Sequence, residues 1–189
     1  MKLTLLISTI MAGLMMTAAP ALASGNKAFI EQVGDYHYAQ VEQTGLEHEA
    51  VLRQSGEAHS AEIKQEGLGQ HADVFQKDFN NELTTKQFGA SNRIKAVQDG
   101  RANWMYHVSN GTGNQAGMYQ YGNDNRMELQ QRDDGNIANL QQIGDGNTMA
   151  PQQWGGFNEL TYVQDGSNLP ALGIEQDGGV VIEIYQTNN

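Results

Sequence analysis

Glutamine carries the most regular chemistry of this chain, because it returns at steps of eleven residues. Starting from Gln32, thirteen of the fifteen steps land on Gln, and the two exceptions are Ser109 and Glu175. Gln176 follows Glu175 directly, which indicates a one-residue insertion. A primary amide donates and accepts hydrogen bonds, so identical amides at one spacing can bond to each other along a column. The columns are expected to be weakest at Ser109 and Glu175. The predicted ladder and polymerisation residues are Asn26, Gln32, Gln43, Gln54, Gln65, Gln76, Gln87, Gln98, Gln120, Gln131, Gln142, Gln153, Gln164 and Gln186.

The glutamines belong to an eleven-residue unit that reads N-x-A-x-Φ-x-Q-x-G-x-x, where Φ is apolar, as in Asn26, Ala28, Ile30, Gln32 and Gly34. The first four of these lie two residues apart, so they share one face of a β-strand. The end of the unit is rich in Gly, Asn and Asp, which tight turns need. Each unit is therefore predicted to form one strand and one turn. The predicted core residues are Ala28, Ile30, Ala39, Val41, Ala50, Leu52, Ala61, Ile63, Ala138, Leu140, Ile182 and Ile184.

A strand with one apolar face cannot bury that face alone, so consecutive strands must face each other across a core. Two units then form one coil of 22 residues, and successive coils stack about 4.8 Å apart in parallel register. The sequence predicts an all-β fold, a two-sheet β-solenoid of the cross-β kind built from 11-residue strand-turn units. This solenoid is expected to occupy residues 24–189.

Histidine and aspartate are the residues that suggest a metal site. His37, His48 and His59 begin three consecutive units, so His37 and His59 are expected to stack at one corner and His48 at the opposite corner. Only two imidazoles converge, whereas a metal site needs three or four ligands, although the rings can give pH sensitivity. The turns at Asp133 and Asp145 resemble calcium-binding turns, but their period is eleven instead of nine. We therefore expect no metal, no cofactor and no catalytic residues.

Residues 1–23 have the features of a secretory signal peptide. Lys2 precedes an apolar run from Leu3 to Met16, and the small-residue close is Ala21-Leu22-Ala23. Without this segment the chain holds ten Lys and Arg against 22 Asp and Glu, a formal charge of −12. So acidic a chain is not expected to bind nucleic acid. The chain contains no Cys, so backbone ladders and packing must hold the fold together without disulfides.

The Φ slot has three irregular residues, His107, Pro151 and Gly173, and all three fall in even-numbered units. Proline lacks the N–H group that a central strand donates. We therefore predict that the sheet of even-numbered strands is weak in its C-terminal half, near Pro151, Pro170 and Gly173.

The outer face of the odd-numbered strands is predicted to carry an apolar stripe. Its members recur at multiples of 22 and are interrupted at Gln141; they are Phe75, Val97, Tyr119, Val163 and Tyr185. Exposed apolar stripes more often mark packing between molecules than small-molecule sites, so lateral packing is the expected role.

The unit resembles the curlin repeat of bacterial curli fibres, with Asn-x-Ala ahead of Gln and then Gln-x-Gly, more than a dozen times between residues 26 and 189. The resemblance implies a secreted subunit that polymerises into an extracellular functional amyloid for biofilm matrix, adhesion and aggregation. It also implies a fibre at the surface of a bacterium, an outer-membrane export channel with chaperones, and a second curlin-type subunit. The repeats begin at Asn26 without a Gly- and Asn-rich export segment before them, so the resemblance leaves open whether the chain is the major subunit or the minor nucleator of such a fibre.

Neither end of the repeat array has a cap sequence, so each end is expected to expose backbone groups that a second copy can pair head to tail. Two other classes of protein are compatible with the same solenoid fold. A carbohydrate-acting enzyme needs a cleft that four-residue turns do not supply, so an enzyme is not expected. A monomeric adhesin or binding module remains an alternative, and it would show caps and a uniform outward ladder. The outward slot from Phe29 to Thr84 is mixed instead.

Overall fold

The computed structural model describes residues 2–9, 15–17 and 25–188. Their regular structure is all β-strand, and within them no helix is long and apolar enough to cross a membrane. From residue 26 onwards, the units alternate between two sheets. The first sheet contains β3 (Lys27–Asp35), β5 (Glu49–Glu57), β7 (His71–Phe79), β9 (Arg93–Arg101), β11 (Gln115–Asn123), β13 (Ile137–Ile143), β16 (Glu159–Asp165) and β18 (Val181–Thr187). The second sheet contains β4 (His37–Leu46), β6 (Ser60–Leu68), β8 (Glu82–Ala90), β10 (Trp104–Thr112), β12 (Arg126–Arg132), β14 (Thr148–Met149), β15 (Gln152–Trp154) and β17 (Glu175–Asp177).

Strands two units apart pair in parallel, and each residue lies opposite the residue 22 positions later, as Gln32 lies opposite Gln54. The predicted all-β, two-sheet β-solenoid with about 22 residues per coil is therefore confirmed, and it makes about seven turns. Gln153 pairs with Gln176 instead of Glu175, so the inserted residue is absorbed before β17. The repeat period alone thus determined the strand pairing.

The apolar core lies between the two sheets. Nine of the twelve expected core residues are fully enclosed there, at 2% exposure or less: Ile30, Ala39, Val41, Ala50, Leu52, Ala61, Ile63, Ala138 and Leu140. Ala28, Ile182 and Ile184 are only partly buried against this cluster. They lie in the first and last strands of the first sheet, where a core side chain is fully covered only if another strand lies over it, as Met16 lies opposite Ile30.

The second sheet is interrupted at the predicted place. The unit around Pro151 forms only β14 and β15, of two and three residues, and the next unit forms only β17, of three residues. The first sheet keeps strands of seven residues over the same coils. Proline and glycine at the Φ slot therefore weaken one sheet and leave the other continuous.

Two strands of the predicted signal peptide lie along the first coil. β1 (Lys2–Thr9) pairs antiparallel with β4, and β2 (Met15–Thr17) pairs antiparallel with β3. In the full chain the N-terminal edge of the solenoid is thus covered by these two strands. The expectation of an open N-terminal edge concerns the chain without residues 1–23 and stays a prediction. The remaining residues of the predicted peptide, with its Ala21-Leu22-Ala23 close, lie outside the described residues.

Candidate functional site: two glutamine columns and the edges they reach

The glutamines form two columns that are buried along most of their length. Within each column, Nε2 of one Gln donates to Oε1 of the Gln in the next coil at 2.7–3.0 Å. Such columns oppose any slip of the strands, because a shift of one residue would turn every amide to the other face. The first-sheet column contains Gln32, Gln54, Gln76, Gln98, Gln120, Gln142, Gln164 and Gln186. The second-sheet column contains Gln43, Gln65, Gln87, Gln131, Gln153 and Gln176.

Each column also ties the two sheets together. Nε2 of Gln142 donates to the carbonyl oxygen of Arg126, in the opposite sheet, at 3.0 Å, and to Oε1 of Gln164 at 2.9 Å. The same sixteen-residue step to a carbonyl recurs along both columns. A buried polar group without a partner costs about 1–3 kcal/mol, so these paired bonds make a buried amide tolerable.

The second-sheet column is broken once, at Ser109. Ser109 takes the slot between Gln87 and Gln131 in the register of the sheet. Ser109 Oγ, Gln131 Oε1 and the neighbouring His107 Nε2 are buried, and none of them makes a well-formed hydrogen bond to a described residue. Burial lowers the pKa of His107, and the Gln131 side chain is nevertheless close enough to this ring to raise its pKa by a smaller amount. The break that the sequence indicated at Ser109 is therefore a group of three unsatisfied polar atoms.

Glu175, the other irregular step, does not break the column. The inserted residue leaves Glu175 exposed and brings Gln176 into the buried slot. Oε1 of Gln176 accepts from Nε2 of Gln153 at 2.8 Å. The weakness predicted for the column at Glu175 is therefore wrong, and the weakness of this coil lies in the short strand β17 instead.

Asparagine in the first slot bonds the turns of neighbouring coils to each other, a ladder role that was predicted for Asn26 but not for the other asparagines. Oδ1 of Asn125 accepts from the backbone N–H of Asn147 at 3.0 Å, and its Nδ2 donates to the carbonyl oxygen of Gly144 at 2.7 Å. Asn26 makes the same two bonds to the residues 22 and 19 positions later. The asparagines thus form further columns at the corners. Their signal in the sequence was the regular Asn of the first slot.

The histidines of the first slot replace asparagine at these corners. The rings of His37 and His59 are stacked as predicted, with centroids 5.2 Å apart and planes at 3°. The backbone N–H of His59 donates to the ring nitrogen Nδ1 of His37 at 3.3 Å. Burial lowers the pKa of His59 to about 4, and it also lowers the pKa of His48 at the opposite corner. No three His, Cys, Asp or Glu side chains converge within the residues that the structure describes.

Turn geometry is the second feature that the sequence reasoning missed. Gly122 has φ of 119°, and a Cβ there would collide with the carbonyl oxygen of Gly144 in the next coil. The last residue of each unit also has a left-handed φ, whether it is Gly146 at 68°, Ala102 at 53° or Phe157 at 62°. Gly, Asn and Asp adopt this conformation most readily, and their frequency at this slot was the available signal. The alanine and aromatic exceptions obscured it.

Outward side chains stack in the same register as the core. Cations lie over aromatic rings on both faces: the guanidinium of Arg126 is 3.6 Å from the ring centroid of Trp104 on the second sheet, and that of Arg53 is 5.7 Å from the centroid of Phe29 on the first. The first sheet also carries the predicted apolar stripe, with Gln141 between its third and fourth members; they are Phe75, Val97, Tyr119, Val163 and Tyr185.

The C-terminal edge of the solenoid is formed by β17 and β18. Within the described residues β18 pairs only with β16, so one side of its backbone is without a strand. Ile182 and Ile184 point inward but are only partly buried. An edge of this kind presents backbone N–H and C=O groups at strand spacing to any other strand.

The chain has no match in comparisons with known proteins. No family model matches it, and neither a curated protein nor a solved structure is significantly similar to it.

Proposed function

We propose that the protein is a secreted structural subunit that assembles with copies of itself into extracellular, curli-like amyloid fibres for biofilm matrix, adhesion and aggregation. The observation that supports this most is the C-terminal edge. There β18 ends the first sheet with an unpaired strand side, a half-buried apolar face and the last amide of the first-sheet column. In this proposal the protein is not an enzyme and uses no cofactor.

Pairing between edges would repeat the interactions that already hold the coils together. Each added coil supplies a parallel ladder, a pair of Gln amides and apolar side chains. The N-terminal and C-terminal edges are different surfaces, so their contact is heterologous, does not close and generates a filament. The product is a cross-β stack with strands about 4.8 Å apart and sheets about 10 Å apart.

The predicted signal peptide determines in this proposal when the N-terminal edge becomes available. β1 and β2 lie along β4 and β3 in the full chain, so a second copy can pair there only after they leave. Signal peptides are removed during export, which supplies that step. The resemblance to curlin adds an outer-membrane channel, chaperones and a second curlin-type subunit as partners.

Assembly of the processed chain, residues 24–189, tests the proposal. The described core cluster and both Gln columns lie within these residues, so the solenoid is retained. We expect sedimentable, thioflavin-positive fibres with a reflection near 4.8 Å along the fibre axis. A chain that stays monomeric for days at micromolar concentration would overturn the proposal and favour a monomeric binding module.

Two neighbouring residues of β18 give a matched pair of variants. Ile184 faces inward and Glu183 faces outward. Ile184→Lys places a charge in the apolar joint, and burying an unpaired charge is strongly unfavourable. We expect this variant to elongate at least about tenfold more slowly, which corresponds to about 1.4 kcal/mol, while Glu183→Lys elongates like the parent chain. Equal rates would show that β18 is not the joining strand.

The major-subunit and nucleator forms of the proposal differ in kinetics. A nucleator added in trace amounts shortens the lag of a second curlin-type subunit, because it supplies a formed edge. A major subunit forms most of the fibre mass by itself. Thioflavin time courses of the mixture, compared with each chain alone, distinguish the two.

A further inference from the structure

The solenoid consists of an odd number of half-coils. Without β1 and β2, the first sheet has eight strands and the second sheet has seven rungs, because β14 and β15 share one rung. The chain enters the solenoid in the first sheet at β3 and leaves it in the same sheet at β18. The described residues from 26 onwards therefore span seven and a half coils, and their first and last strands lie in the same sheet.

A second copy can continue this stack in two ways. In an in-phase joint, β3 of the next copy lies on β18, and the second sheet then lacks a rung between β17 and β4 of the next copy. That gap is about 9.6 Å, twice the strand spacing. In a rotated joint, β3 of the next copy lies on β17 and β4 lies on β18. Every rung is then filled at about 4.8 Å.

We infer that successive subunits of the fibre are joined by the rotated contact, so that the first sheet of one copy is continued by the second sheet of the next. The relation between neighbours is a rotation near 180° about the fibre axis. This inference rests on the proposed fibre function and specifies its partner surface. β17 and β18 receive β3 and β4 of a second copy.

The side-chain register of the rotated joint matches the register inside the molecule. Continuing the 22-residue step places Ile184 over Val41 of the next copy and Gln186 over Gln43 of the next copy. The first-sheet column of one copy thereby runs into the second-sheet column of the next. The apolar core crosses the joint in the same way, because Ile184 gains a covering residue of its own slot.

An unsatisfied acceptor at the N-terminal edge distinguishes the two joints. Oε1 of Gln43 is buried and has no hydrogen-bond partner within the described residues, because Leu3 of β1 lies opposite Gln43 where the column would need a Gln. In the processed chain β1 is absent, so this oxygen can accept a hydrogen bond at the edge. At the other edge, Nε2 of Gln186 makes one hydrogen bond within the described residues, to the carbonyl oxygen of Pro170 at 3.3 Å. An amide has two N–H groups, so one remains to donate along the column.

The rotated joint brings this donor and this acceptor together. Gln186 then donates to Gln43 of the next copy, as each inner Gln donates to the Gln after it. In the in-phase joint, the nearest amide in the column of Gln43 would be Gln176, two rungs away and out of hydrogen-bond range. Of the two joints, only the rotated joint therefore gives Oε1 of Gln43 an amide donor within its own column.

The rotated joint also sets the repeat of the fibre surface. Each subunit advances the fibre by about 36 Å, and the same face returns after about 72 Å. The apolar stripe of the first sheet then alternates between opposite sides of the fibre, and the outer face of the second sheet lies between its segments. Lateral partners meet equivalent surfaces on both sides.

Engineered cysteines report which joint forms, since the natural chain has no Cys. Glu183 of β18 and the outward residue of the same slot in the strand of the next copy that stacks on β18 would lie about 4.8 Å apart, within disulfide range. The rotated joint places Gln40 there, whereas the in-phase joint places Phe29 there. We expect fibres of the processed Gln40→Cys/Glu183→Cys chain to yield disulfide-linked multimers after oxidation, and fibres of Phe29→Cys/Glu183→Cys to stay unlinked.

Each outcome has a distinct meaning. Linking of the Phe29 pair, or of neither pair in fibres that do form, overturns the rotated joint without affecting the proposed function. A parent chain that forms no fibres overturns the proposed function itself. If the double-cysteine chains fail to assemble, helical reconstruction of parent fibres decides, with about 36 Å and a rotation near 180° expected against about 38 Å and a rotation near zero.

Discussion

Ser109 lies directly opposite Gln131 in β10 and β12, yet Ser109 Oγ and Gln131 Oε1 are both buried without a hydrogen-bond partner. At the neighbouring rung Gln65 donates to Gln87 at 3.0 Å across the same spacing. The backbone pairing is kept at Ser109 while the amide bond is lost. This one position thus separates what the amide column contributes from what the backbone ladder contributes.

Ser109→Gln should restore the second-sheet column. The new amide would accept from Gln87 and donate to Gln131, which removes an unsatisfied buried acceptor. We expect the free energy of unfolding to rise by about 1–3 kcal/mol, measured as a higher urea midpoint of the processed chain. Ser60→Gln, on the outer face of the same sheet, is the control and should change little. A lower midpoint for Ser109→Gln would show that the slot has no room for an amide.

Gln120→Met should have the opposite effect in the first-sheet column. Gln120 accepts from Gln98 at 3.0 Å and donates to Gln142 at 2.9 Å. Methionine has a similar length but leaves Oε1 of Gln142 and the carbonyl oxygen of Trp104 without this donor. We therefore expect a loss of about 2–4 kcal/mol in unfolding free energy. Gln141→Met, on the outer face of the next strand, should stay within about 0.5 kcal/mol. Equal effects of the two variants would contradict a structural role for the column.

Acid should destabilise the folded chain through its buried histidines. Nδ1 of His107 lies 2.9 Å from Oγ of Thr85, and burial lowers the pKa of His107 to about 4. An unfolded histidine has a pKa of about 6.5, so the unfolded chain takes up a proton that the folded chain refuses between these values. Stability is therefore complete above about pH 6.5 and falls as the pH falls towards 4. His59 adds the same dependence.

The measurement is the unfolding free energy of the processed chain between pH 6.5 and 5. Each such histidine contributes a slope of at most about 1.4 kcal/mol per pH unit. We expect His107→Met, which places an apolar residue in a core slot, to have a shallower slope than the parent chain. His71→Gln changes an imidazole on the outer face beside Glu49 and serves as the matched control. A slope unchanged by His107→Met would show that this ring does not set the acid sensitivity.

The columns and the core could be predicted from the sequence because both follow from period and alternation. A residue that recurs at eleven must recur at 22 in a stacked coil, so Gln32 had to meet Gln54. The one-residue insertion before Gln176 was visible for the same reason. The break at Ser109 was visible as a position, but its unsatisfied atoms depend on side-chain reach, which spacing does not show.

The turns and the ends could not be predicted in the same way. The left-handed φ of Ala102 is imposed by the neighbouring coils and overrides the preference of alanine. The close approach of Gly122 to Gly144 is a contact between coils, so the glycine reads in the sequence only as a turn former. The pairing of β1 with β4 is antiparallel and lies outside the repeat, so no periodic signal exists for it.

Gly122→Ala tests the close approach of the coils at the turns. Gly122 and Gly113 both have a left-handed φ, of 119° and 72°, but a Cβ on Gly113 would meet nothing within 4 Å. Gly113→Ala thus carries conformational strain alone, about 1–2 kcal/mol. Gly122→Ala adds a collision with the carbonyl of Gly144, so we expect a clearly larger drop in the urea midpoint. Similar drops would mean that the coils separate at this corner with little penalty.

The uncleaved chain should act as a terminator of fibre growth. It presents a free C-terminal edge at β17 and β18, but β1 and β2 cover β4 and β3 at its other edge. It can therefore join a growing fibre and then receive no further subunit. At one uncleaved chain per roughly ten processed chains, most fibres meet a capped subunit early, because the contact between subunits is heterologous. We expect this addition to shorten the fibres seen in electron micrographs. The uncleaved Ile184→Lys chain, which is expected to join through β18 at least about tenfold more slowly, is the control and should shorten the fibres much less. Fibres of normal length with both additions would show that the leader strands do not block the N-terminal edge.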